Sequence, residues 1–302
     1  MRKIEKRSIF CLILAALLGL GLAFFCFRFV VDGGDWASYP YNRHLYNNAG
    51  QLKGGTILDR DGDMLSTLDE DGNRIYNDDA TVRRATLHAV GDKNGNIGAG
   101  ALTSFADKLS GYNLLTGVYS PLGTGNSLYL TIDAYLNNVA YQALNGMNGT
   151  VGIYNYKTGE ILCMVSTPTF DPANPPDIAA DDPAWDGVYV NRLLSANSIP
   201  GSIFKVVTIN AAIENIPDLF QRKWTCTGSV NIGGEEVTCP HAHGEQDIEE
   251  ALANSCNGVF GQLAVELGGE TMQKYADAAG LTKSIKVTAS SPRSASLISR
   301  AM

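Results

Sequence analysis

The sequence predicts a protein of mixed strands and helices that is carried by an N-terminal membrane-spanning helix. Three observations lead to this prediction. Residues 8–27 contain no charged side chain, residues 150–165 hold two apolar runs around a polar turn, and an apolar helical run follows Pro200. The chain has 302 residues, which is long enough for two domains.

The composition is that of a globular protein without a basic footprint. Hydrophobic residues make up 45% of the chain and charged residues 18%, and the formal net charge is −8. Proteins that bind nucleic acids usually carry clustered Lys and Arg. No such patch follows the first 30 residues, so we expect no nucleic-acid partner.

The first segment is long enough to cross a bilayer as one helix. Residues 8–27 are rich in Leu, Ile, Ala and Phe, and four cations precede them: Arg2, Lys3, Lys6 and Arg7. The positive-inside rule then keeps the N-terminus in the cytoplasm and exports the remainder. A cleaved signal peptide is the alternative. It is disfavoured because the run is long and ends in Phe24-Phe25-Cys26-Phe27, without a small-residue cleavage site.

The segment after the anchor alternates strand, turn and helix signals. Asp61-Gly62 between two short apolar runs is typical of a hairpin turn. Asp133 is a good N-cap for a helix that presents one apolar face. In chain order, we predict a hairpin around Asp61-Gly62, a short helix at 101–109, a strand at 128–132 and a helix from Asp133 through Leu144.

Two apolar strands are predicted at residues 150–154 and 160–165. The polar residues between them contain Lys157-Thr158-Gly159. Glycine adopts positive φ without strain, which suits a tight turn. We therefore interpret this triplet as part of a hairpin turn.

A serine and a lysine begin the apolar helical run that follows Pro200-Gly201. Ser202 and Lys205 are three residues apart, a spacing that puts both side chains on one helix face. A lysine removed from water can act as the base for a serine nucleophile. The tetrapeptide alone is more often a helix cap beside a solvated lysine, so a catalytic interpretation needs a second motif.

The second motif is Ser255-Cys256-Asn257, about fifty residues downstream. Ser-x-x-Lys followed by a Ser-x-Asn type motif is the signature of penicillin-binding proteins and class A β-lactamases. The cysteine in the middle favours the former. The chain resembles a class B penicillin-binding protein over roughly residues 1–285, and the landmarks stand in family order at residues 55–62, 130–133, 154–164, 191–192, 200–205 and 255–257.

The resemblance implies an α+β architecture in three parts. Residues 1–34 would form a cytoplasmic stub and the anchor, with the span at 8–27. Residues 35–147 would form an elongated, non-catalytic pedestal. Residues 148–302 would form a transpeptidase domain, an antiparallel sheet flanked by helices. A single-pass protein of the cell membrane would result, with its bulk outside the cytoplasm.

The resemblance also assigns roles by position. Ser202 would attack the penultimate D-Ala of a peptidoglycan stem peptide, and Lys205 would take its proton. Ser255 would carry a proton to the leaving D-Ala, while Asn257 would hold Lys205 and the substrate amide. β-Lactams would acylate Ser202. No cofactor is required for this catalysis, and the further partners implied are the membrane and a glycosyltransferase of the cell-wall machinery.

One departure from the family concerns its Lys-(Ser/Thr)-Gly strand, which follows the Ser-x-Asn motif. No such triplet follows Asn257, and residues 286–302 are rich in Ser. We expect a truncated or frame-shifted product, or else a disordered tail, and a reaction with penicillin that is very slow or absent. The alternatives to an active transpeptidase are a non-catalytic membrane scaffold and a β-lactam sensor. A sensor of the usual kind would carry several spans and a His-Glu-x-x-His motif, which this chain lacks.

Six cysteines are present, of which Cys11 and Cys26 lie in the anchor. Cys163 falls in a predicted strand and is expected to be a small core residue. The remaining three form, with one histidine, the pattern Cys226-x12-Cys239-x3-His243-x12-Cys256. Three thiols and an imidazole are a structural zinc set. A Cys226–Cys239 disulfide and free thiols remain open alternatives, and His241 is a substitute for His243 as ligand.

Overall fold

The computed structural model describes residues 2–37, 39, 41–111, 115, 117, 125–179, 181–284, 287–288 and 298–299. By its contacts the chain divides into two units. The first comprises Met1–Ala196 with Val287–Ser299, and the second comprises Asn197–Lys286 with Arg300–Met302. The pedestal interpretation of residues 35–147 and the boundary near residue 148 stay predictions.

Both units contain helices and strands. The helices are α1 (Arg2–Ala37), α2 (Ala80–Val90), α3 (Ala101–Ser104), α4 (Ala106–Leu109), α5 (Ala134–Leu144), α6 (Arg192–Ser195), α7 (Lys205–Asn215), α8 (Ile248–Ala253) and α9 (Asn257–Ala278). The strands are β1 (Ile57–Leu58), β2 (Met64–Leu68), β3 (Arg74–Tyr76), β4 (Leu128–Tyr129), β5 (Gly149–Tyr154), β6 (Ile161–Thr167), β7 (Trp224–Cys226), β8 (Ser229–Ile232), β9 (Glu235–Thr238), β10 (Gly244–Gln246), β11 (Val287–Thr288) and β12 (Ile298–Ser299).

Helix α1 is one continuous helix that contains the predicted span and extends beyond it. The most apolar 18-residue window within Arg7–Ala37 has a mean hydropathy of 2.8, and none of that window is buried against the protein. By length and composition it could cross a membrane. The helix continues past Phe27 because no proline interrupts it, and the Arg28–Asp32 ion pair, 2.7 Å long, supports the added turns.

A four-stranded sheet in the order β3-β2-β1-β4 organises the first unit. Strands β1, β2 and β3 are antiparallel neighbours, and β4 pairs in parallel with β1. The Asp61-Gly62 hairpin turn is confirmed. The backbone N–H groups of Asp61 and Asp63 both donate to the Asp59 carboxylate at 2.9 Å, and Gly62 adopts a φ of 93°.

Two predicted elements of this unit are corrected in extent. The single helix expected at 101–109 is broken into α3 and α4 at Phe105, whose backbone leaves the helical region while its ring enters the core. The strand expected at 128–132 is limited to β4, although Leu130 and Ile132 are buried beyond it. Tertiary packing decides both outcomes.

Helix α5 and the following hairpin form as predicted. The Asp133 carboxylate caps α5 by accepting from the N–H of Leu136 at 2.9 Å. Strands β5 and β6 pair from Gly149↔Thr167 to Tyr154↔Ile161. The turn between them is closed by the Gly159 N–H, with Gly159 at a φ of 77°, so the Lys157-Thr158-Gly159 triplet is a hairpin turn.

Cys163 is a core residue, as predicted. It lies fully buried in β6, which is buried along most of its length. Burial raises the pKa of this thiol to about 11. The thiol is therefore held in its neutral form.

The second unit is built around the packing of α7 on α9. A 3₁₀ turn, Gly201–Phe204, leads directly into α7. Ile216 is extended and precedes Pro217, which ends the helix as predicted. The core of this unit consists of Ala212, Ile216, Leu219, Cys226, Ile248, Ala251, Cys256, Val259, Phe260 and Leu263.

Two antiparallel strand pairs flank these helices. Strand β7 pairs with β10, and β8 pairs with β9 around a turn at Gly233-Gly234. Helix α8 begins at a capping box formed by Asp247 and Glu250. Helix α9 is kinked at Gly268, which has a φ of 77°.

The interpretation of residues 286–302 as a frame-shifted or disordered tail falls mostly on residues outside those described. Within the described part, Val287–Thr288 and Ile298–Ser299 form an antiparallel pair.

Candidate active site

Ser202 and Lys205 meet at the entrance of α7. Ser202 lies in the 3₁₀ turn, and Lys205 is the first residue of the α-helix. Side chains three residues apart are eclipsed in a 3₁₀ turn, so this geometry brings them closer than an α-helix would. The Lys205 Nζ lies 2.8 Å from the Ser202 Oγ. Gly201 has a φ of 57°, a conformation that suits glycine.

The second motif reaches the same amine from between α8 and α9. The Ser255 Oγ lies 2.9 Å from Lys205 Nζ and 2.9 Å from Ser202 Oγ. The Asn257 Oδ1 lies 2.7 Å from Lys205 Nζ, and the Ser255 carbonyl oxygen lies 3.0 Å from it. The structure therefore brings together all four residues that the two motifs supply.

Ser255 holds an unusual backbone conformation. Its φ is 51°, the left-handed region that non-glycine residues rarely adopt. Both its carbonyl and its hydroxyl face Lys205. A conformation of this kind at a polar cluster is a common feature of functional sites.

Lys205 is buried, with 8% of its surface exposed. Desolvation lowers its pKa from the ordinary value, and the nearby Cys239 and Cys256 oppose this in part. The Phe260 ring covers the amine, with its centroid 5.9 Å from Nζ. Among the described residues, no carboxylate forms an ion pair with Lys205.

The partners of Lys205 suit a neutral amine. The Ser255 carbonyl and the Asn257 Oδ1 can only accept hydrogen bonds. A neutral amine has two N–H groups, which these two oxygens use, and one lone pair. That lone pair is left for a hydroxyl, and the Ser202 Oγ lies at the right distance. The arrangement can therefore place a base beside a serine nucleophile.

The structure adds two groups that the sequence interpretation missed. Phe260 lies three residues after Asn257 on α9, so helical spacing could have placed it on the same face. The main-chain carbonyl of Thr238 accepts from the Asn257 side chain, and no sequence signal identifies such a backbone group.

Beside this site, three thiols and an imidazole converge. The ligand atoms of Cys226, Cys239, His243 and Cys256 all lie within 4.8 Å of one another. Pairing of Cys226 with Gly244 brings His243 next to the end of β7. Cys239 directly follows β9, and Cys256 directly precedes α9.

The cluster has the properties of a metal-binding site. The His243 Nδ1 is buried and has no hydrogen-bond partner among the described residues. The three cysteines are among the residues that line a cavity of about 10 Å³. Hydrogen bonding to the His243 backbone lowers the pKa of the Cys226 thiol to about 6, which favours the thiolate that binds metals. This cluster can hold a metal ion.

The structure also distinguishes the alternatives for these residues. Cys226 and Cys239 are free thiols, contrary to the disulfide alternative. Cys239 Sγ lies 3.8 Å from Cys256 Sγ. His243, and not His241, belongs to the set; the His241 ring packs edge-on against it at 4.6 Å between centroids.

Comparison with known proteins places this site in a family. Residues 149–300, half of the chain, match the model of the penicillin binding protein transpeptidase domain. The chain belongs to this family. The two motifs that form the site, at Ser202 and at Ser255, lie within the matched range.

Proteins similar to this chain are found in several bacteria. Stage V sporulation protein D of Bacillus subtilis (strain 168) is 34% identical over 169 residues, which are 52% of this chain and 25% of that protein. Peptidoglycan D,D-transpeptidase PbpA of Mycolicibacterium smegmatis is 30% identical over 178 residues, which are 52% of this chain and 36% of that protein. The matches thus span between a quarter and about a third of these relatives.

A solved structure supports the fold. The D,D-transpeptidase domain of a peptidoglycan glycosyltransferase from Eggerthella lenta is 28% identical and superposes with a TM-score of 0.61. The match covers 78% of this chain and 55% of that one. The predicted α+β fold of the penicillin-binding class is confirmed.

Proposed function

We propose that this chain acts in peptidoglycan cross-linking as a serine D,D-transpeptidase. The observation that carries the proposal is the contact of 2.8 Å between Ser202 Oγ and a buried Lys205 amine, which also contacts two groups that can only accept, the Ser255 carbonyl and the Asn257 Oδ1. Membership in the penicillin-binding family supports the same chemistry.

Ser202 is the proposed nucleophile. Its oxygen attacks the carbonyl of the penultimate D-Ala of a stem peptide, and its proton passes to the lone pair of Lys205. The amide C–N bond then breaks. The terminal D-Ala leaves as an amine after it takes up a proton, and the stem peptide remains as an ester on Ser202.

Ser255 and Asn257 assist this step in the proposal. The Ser255 hydroxyl lies 2.9 Å from both reacting side chains, so it can pass a proton from Lys205 to the leaving nitrogen. Asn257 keeps Lys205 in place through its Oδ1 and contacts the substrate amide. An amine of a second stem peptide then attacks the ester, which forms the cross-link and regenerates Ser202. β-Lactams acylate the same oxygen because their strained amide resembles D-Ala-D-Ala.

The proposed location follows from the substrate. Helix α1 would anchor the chain in the cell membrane with the N-terminus in the cytoplasm, and the remainder would face the peptidoglycan. The uncharged run at 8–27 and the cations before it support this topology. A glycosyltransferase that supplies uncross-linked strands is the partner that this reaction requires.

We further propose a structural role for the metal cluster. Cys226, Cys239, His243 and Cys256 are a donor set that suits tetrahedral Zn²⁺. Zinc held there would join β7, β9 and the start of α9. The transpeptidation chemistry itself needs no cofactor.

Covalent capture by penicillin tests the proposed function. The full chain in detergent is incubated with a fluorescent penicillin, and the modified peptide is identified by mass spectrometry. We expect slow labelling of Ser202 that Ser202→Ala abolishes. Substitution of Ser198, an exposed serine in the preceding loop, to Ala should leave this labelling intact. Labelling that survives Ser202→Ala, or no labelling of the parent after prolonged incubation, would contradict the proposal. Labelling without any transfer to an acceptor amine would favour a β-lactam sensor.

A further inference from the structure

The side chain of Asn257 has two different polar partners. Its Oδ1 lies 2.7 Å from Lys205 Nζ, and its Nδ2 donates to the main-chain carbonyl of Thr238 at 2.8 Å. A carbonyl oxygen can only accept. The amide nitrogen must therefore face Thr238, and the amide oxygen must face Lys205.

The opposite orientation of this amide would disturb the proposed base. An inverted Asn257 would direct N–H groups toward Lys205. Those groups would compete with the Ser202 hydroxyl for the lone pair of the neutral amine, and one acceptor for the amine would be lost. The orientation of one amide thus matters for the reactivity of Ser202.

We infer that the β8–β9 hairpin is a positioning element for acylation, and that Thr238 acts through its main-chain carbonyl by orienting Asn257. This inference rests on the proposed function. It assigns a role to a hairpin that carries no catalytic side chain of its own.

The hairpin is held close to α9 by two glycines of that helix. A Cβ atom at Gly258 would lie 3.0 Å from Val230 Cγ1, and one at Gly261 would lie 2.7 Å from Ile232 Cδ1. Val230 pairs with Val237, which is next to Thr238. The lack of side chains at 258 and 261 therefore lets β8 and its partner β9 approach the first turns of α9.

A second contact joins the same two segments. Cys239 directly follows Thr238, and Cys256 directly precedes Asn257. Their Sγ atoms lie 3.8 Å apart. The end of the hairpin and the start of α9 thus meet at two successive positions, one through thiols and one through the Asn257 amide.

Gly258→Ala tests the inference without altering any group that contacts Lys205. The new methyl group meets Val230, whose χ1 is stiff, so the hairpin must shift. Val230→Ala removes the obstructing atom and should reverse the effect. Gly269→Ala is the matched control, because a Cβ at Gly269 in the same helix would have no described atom within 4 Å. Gly261→Ala with Ile232→Val, which removes Cδ1, provides a second and gentler cycle.

The first measurement does not depend on activity. Hydrogen exchange of the Asn257 side-chain amide is followed by NMR on the ¹⁵N-labelled full chain in detergent, with the signal identified by its loss in Asn257→Asp. We expect slowed exchange in the parent and in Gly269→Ala, faster exchange in Gly258→Ala, and recovery in Gly258→Ala/Val230→Ala. Unchanged exchange in Gly258→Ala, or failure of Val230→Ala to restore it, would overturn the inference.

The second measurement is the reaction with a β-lactam. We expect the acylation rate constant at saturating β-lactam to fall about fivefold in Gly258→Ala, the effect of about one hydrogen bond, with unchanged non-covalent affinity and recovery in the double variant. An acylating parent whose rate is unchanged in Gly258→Ala would overturn the positioning role alone. A parent with a protected amide that never acylates would overturn the proposed function, and the positioning role with it.

Discussion

Two buried cations, one in each unit of the chain, have similar surroundings and different consequences. Arg74 in β3 is 5% exposed and donates to the carbonyl oxygens of Gly55 and Gly54 at 2.9 and 3.1 Å. Lys205 is 8% exposed and also faces a carbonyl and an amide oxygen. Within the described part of the chain, neither forms an ion pair with a carboxylate.

The difference lies in how easily each cation loses its proton. Burial lowers the pKa of Arg74 only to about 10, so the guanidinium remains charged near neutral pH. Burial also lowers the pKa of Lys205, and an amine that loses its proton gains a lone pair. Similar surroundings therefore leave Arg74 as a charged residue that stabilises the fold, and make Lys205 a candidate base.

The largest effect is expected from Lys205→Arg. A guanidinium cannot serve as a base at ordinary pH, so acylation by a β-lactam should fall by about 10²- to 10⁴-fold. The melting temperature should fall as well, because a guanidinium that cannot lose its proton keeps a charge in a buried site where the lysine amine is neutral. Circular dichroism and labelling with fluorescent penicillin check the two halves of this prediction. Acylation near the parent rate would show that Lys205 is not the base.

Arg74→Met should affect stability rather than reaction. It leaves the carbonyls of Gly54 and Gly55 buried without a donor, at a cost of about 1–3 kcal/mol for each unsatisfied group. The free energy of unfolding, measured by urea titration, should fall by this order. Arg74→Lys should lose less because one donor can still reach a carbonyl. If acylation by the folded fraction of Arg74→Met fell as much as in Lys205→Arg, the contrast between the two residues would be refuted.

The pH dependence sharpens the same contrast. The pKa of Lys205 is lowered in the folded state. Its amine is therefore neutral at pH values below the ordinary lysine pKa of about 10.4. Acylation should rise with pH through the lowered pKa. The unfolded chain binds more protons in this window, so the contribution of Lys205 to stability also rises with pH and is lost as the pH falls through the folded-state value. Stopped-flow acylation between pH 5 and 10 measures the rate; a flat profile would contradict a titrating base.

The smallest effect on acylation is expected from substitutions at Cys226 and Cys163, two cysteines that do not face Lys205. Cys226 and Cys163 are both buried, but hydrogen bonding lowers the pKa of the first to about 6 and burial raises that of the second to about 11. Cys226→Ser should therefore lose bound zinc, whereas Cys163→Ala should keep it. Native mass spectrometry counts the metal. Equal zinc content in both variants would remove Cys226 from the ligand set.

Local features were the predictable ones. Three local features have hydrogen-bond partners within four residues: the Asp133 cap of α5, the turn at Asp61-Gly62 and the Gly159 turn. A short stretch of sequence is therefore enough to predict each of them. The break at Phe105 was missed because it results from burial of the ring in a core made by distant segments.

The candidate site shows the same division. Helical spacing predicted that Ser202 and Lys205 share a face, but the 3₁₀ turn that brings them to 2.8 Å was not predicted. The φ of 51° at Ser255 and the Thr238 carbonyl had no sequence signal. A backbone group is present at every residue, so only the fold can select one.

The sequence by itself determined which chemical groups this protein possesses and in what order. The uncharged N-terminal run, the Ser-x-x-Lys and Ser-x-Asn motifs and the three spaced cysteines with their histidines all follow from the order and spacing of residues along the chain. Only the tertiary structure decided which of them meet. It joined Lys205 to Ser255 and Asn257 across about fifty residues, buried the amine and chose His243 over His241. The physical reason is that desolvation and ligand geometry depend on distances between segments far apart in the chain, which local propensity does not specify.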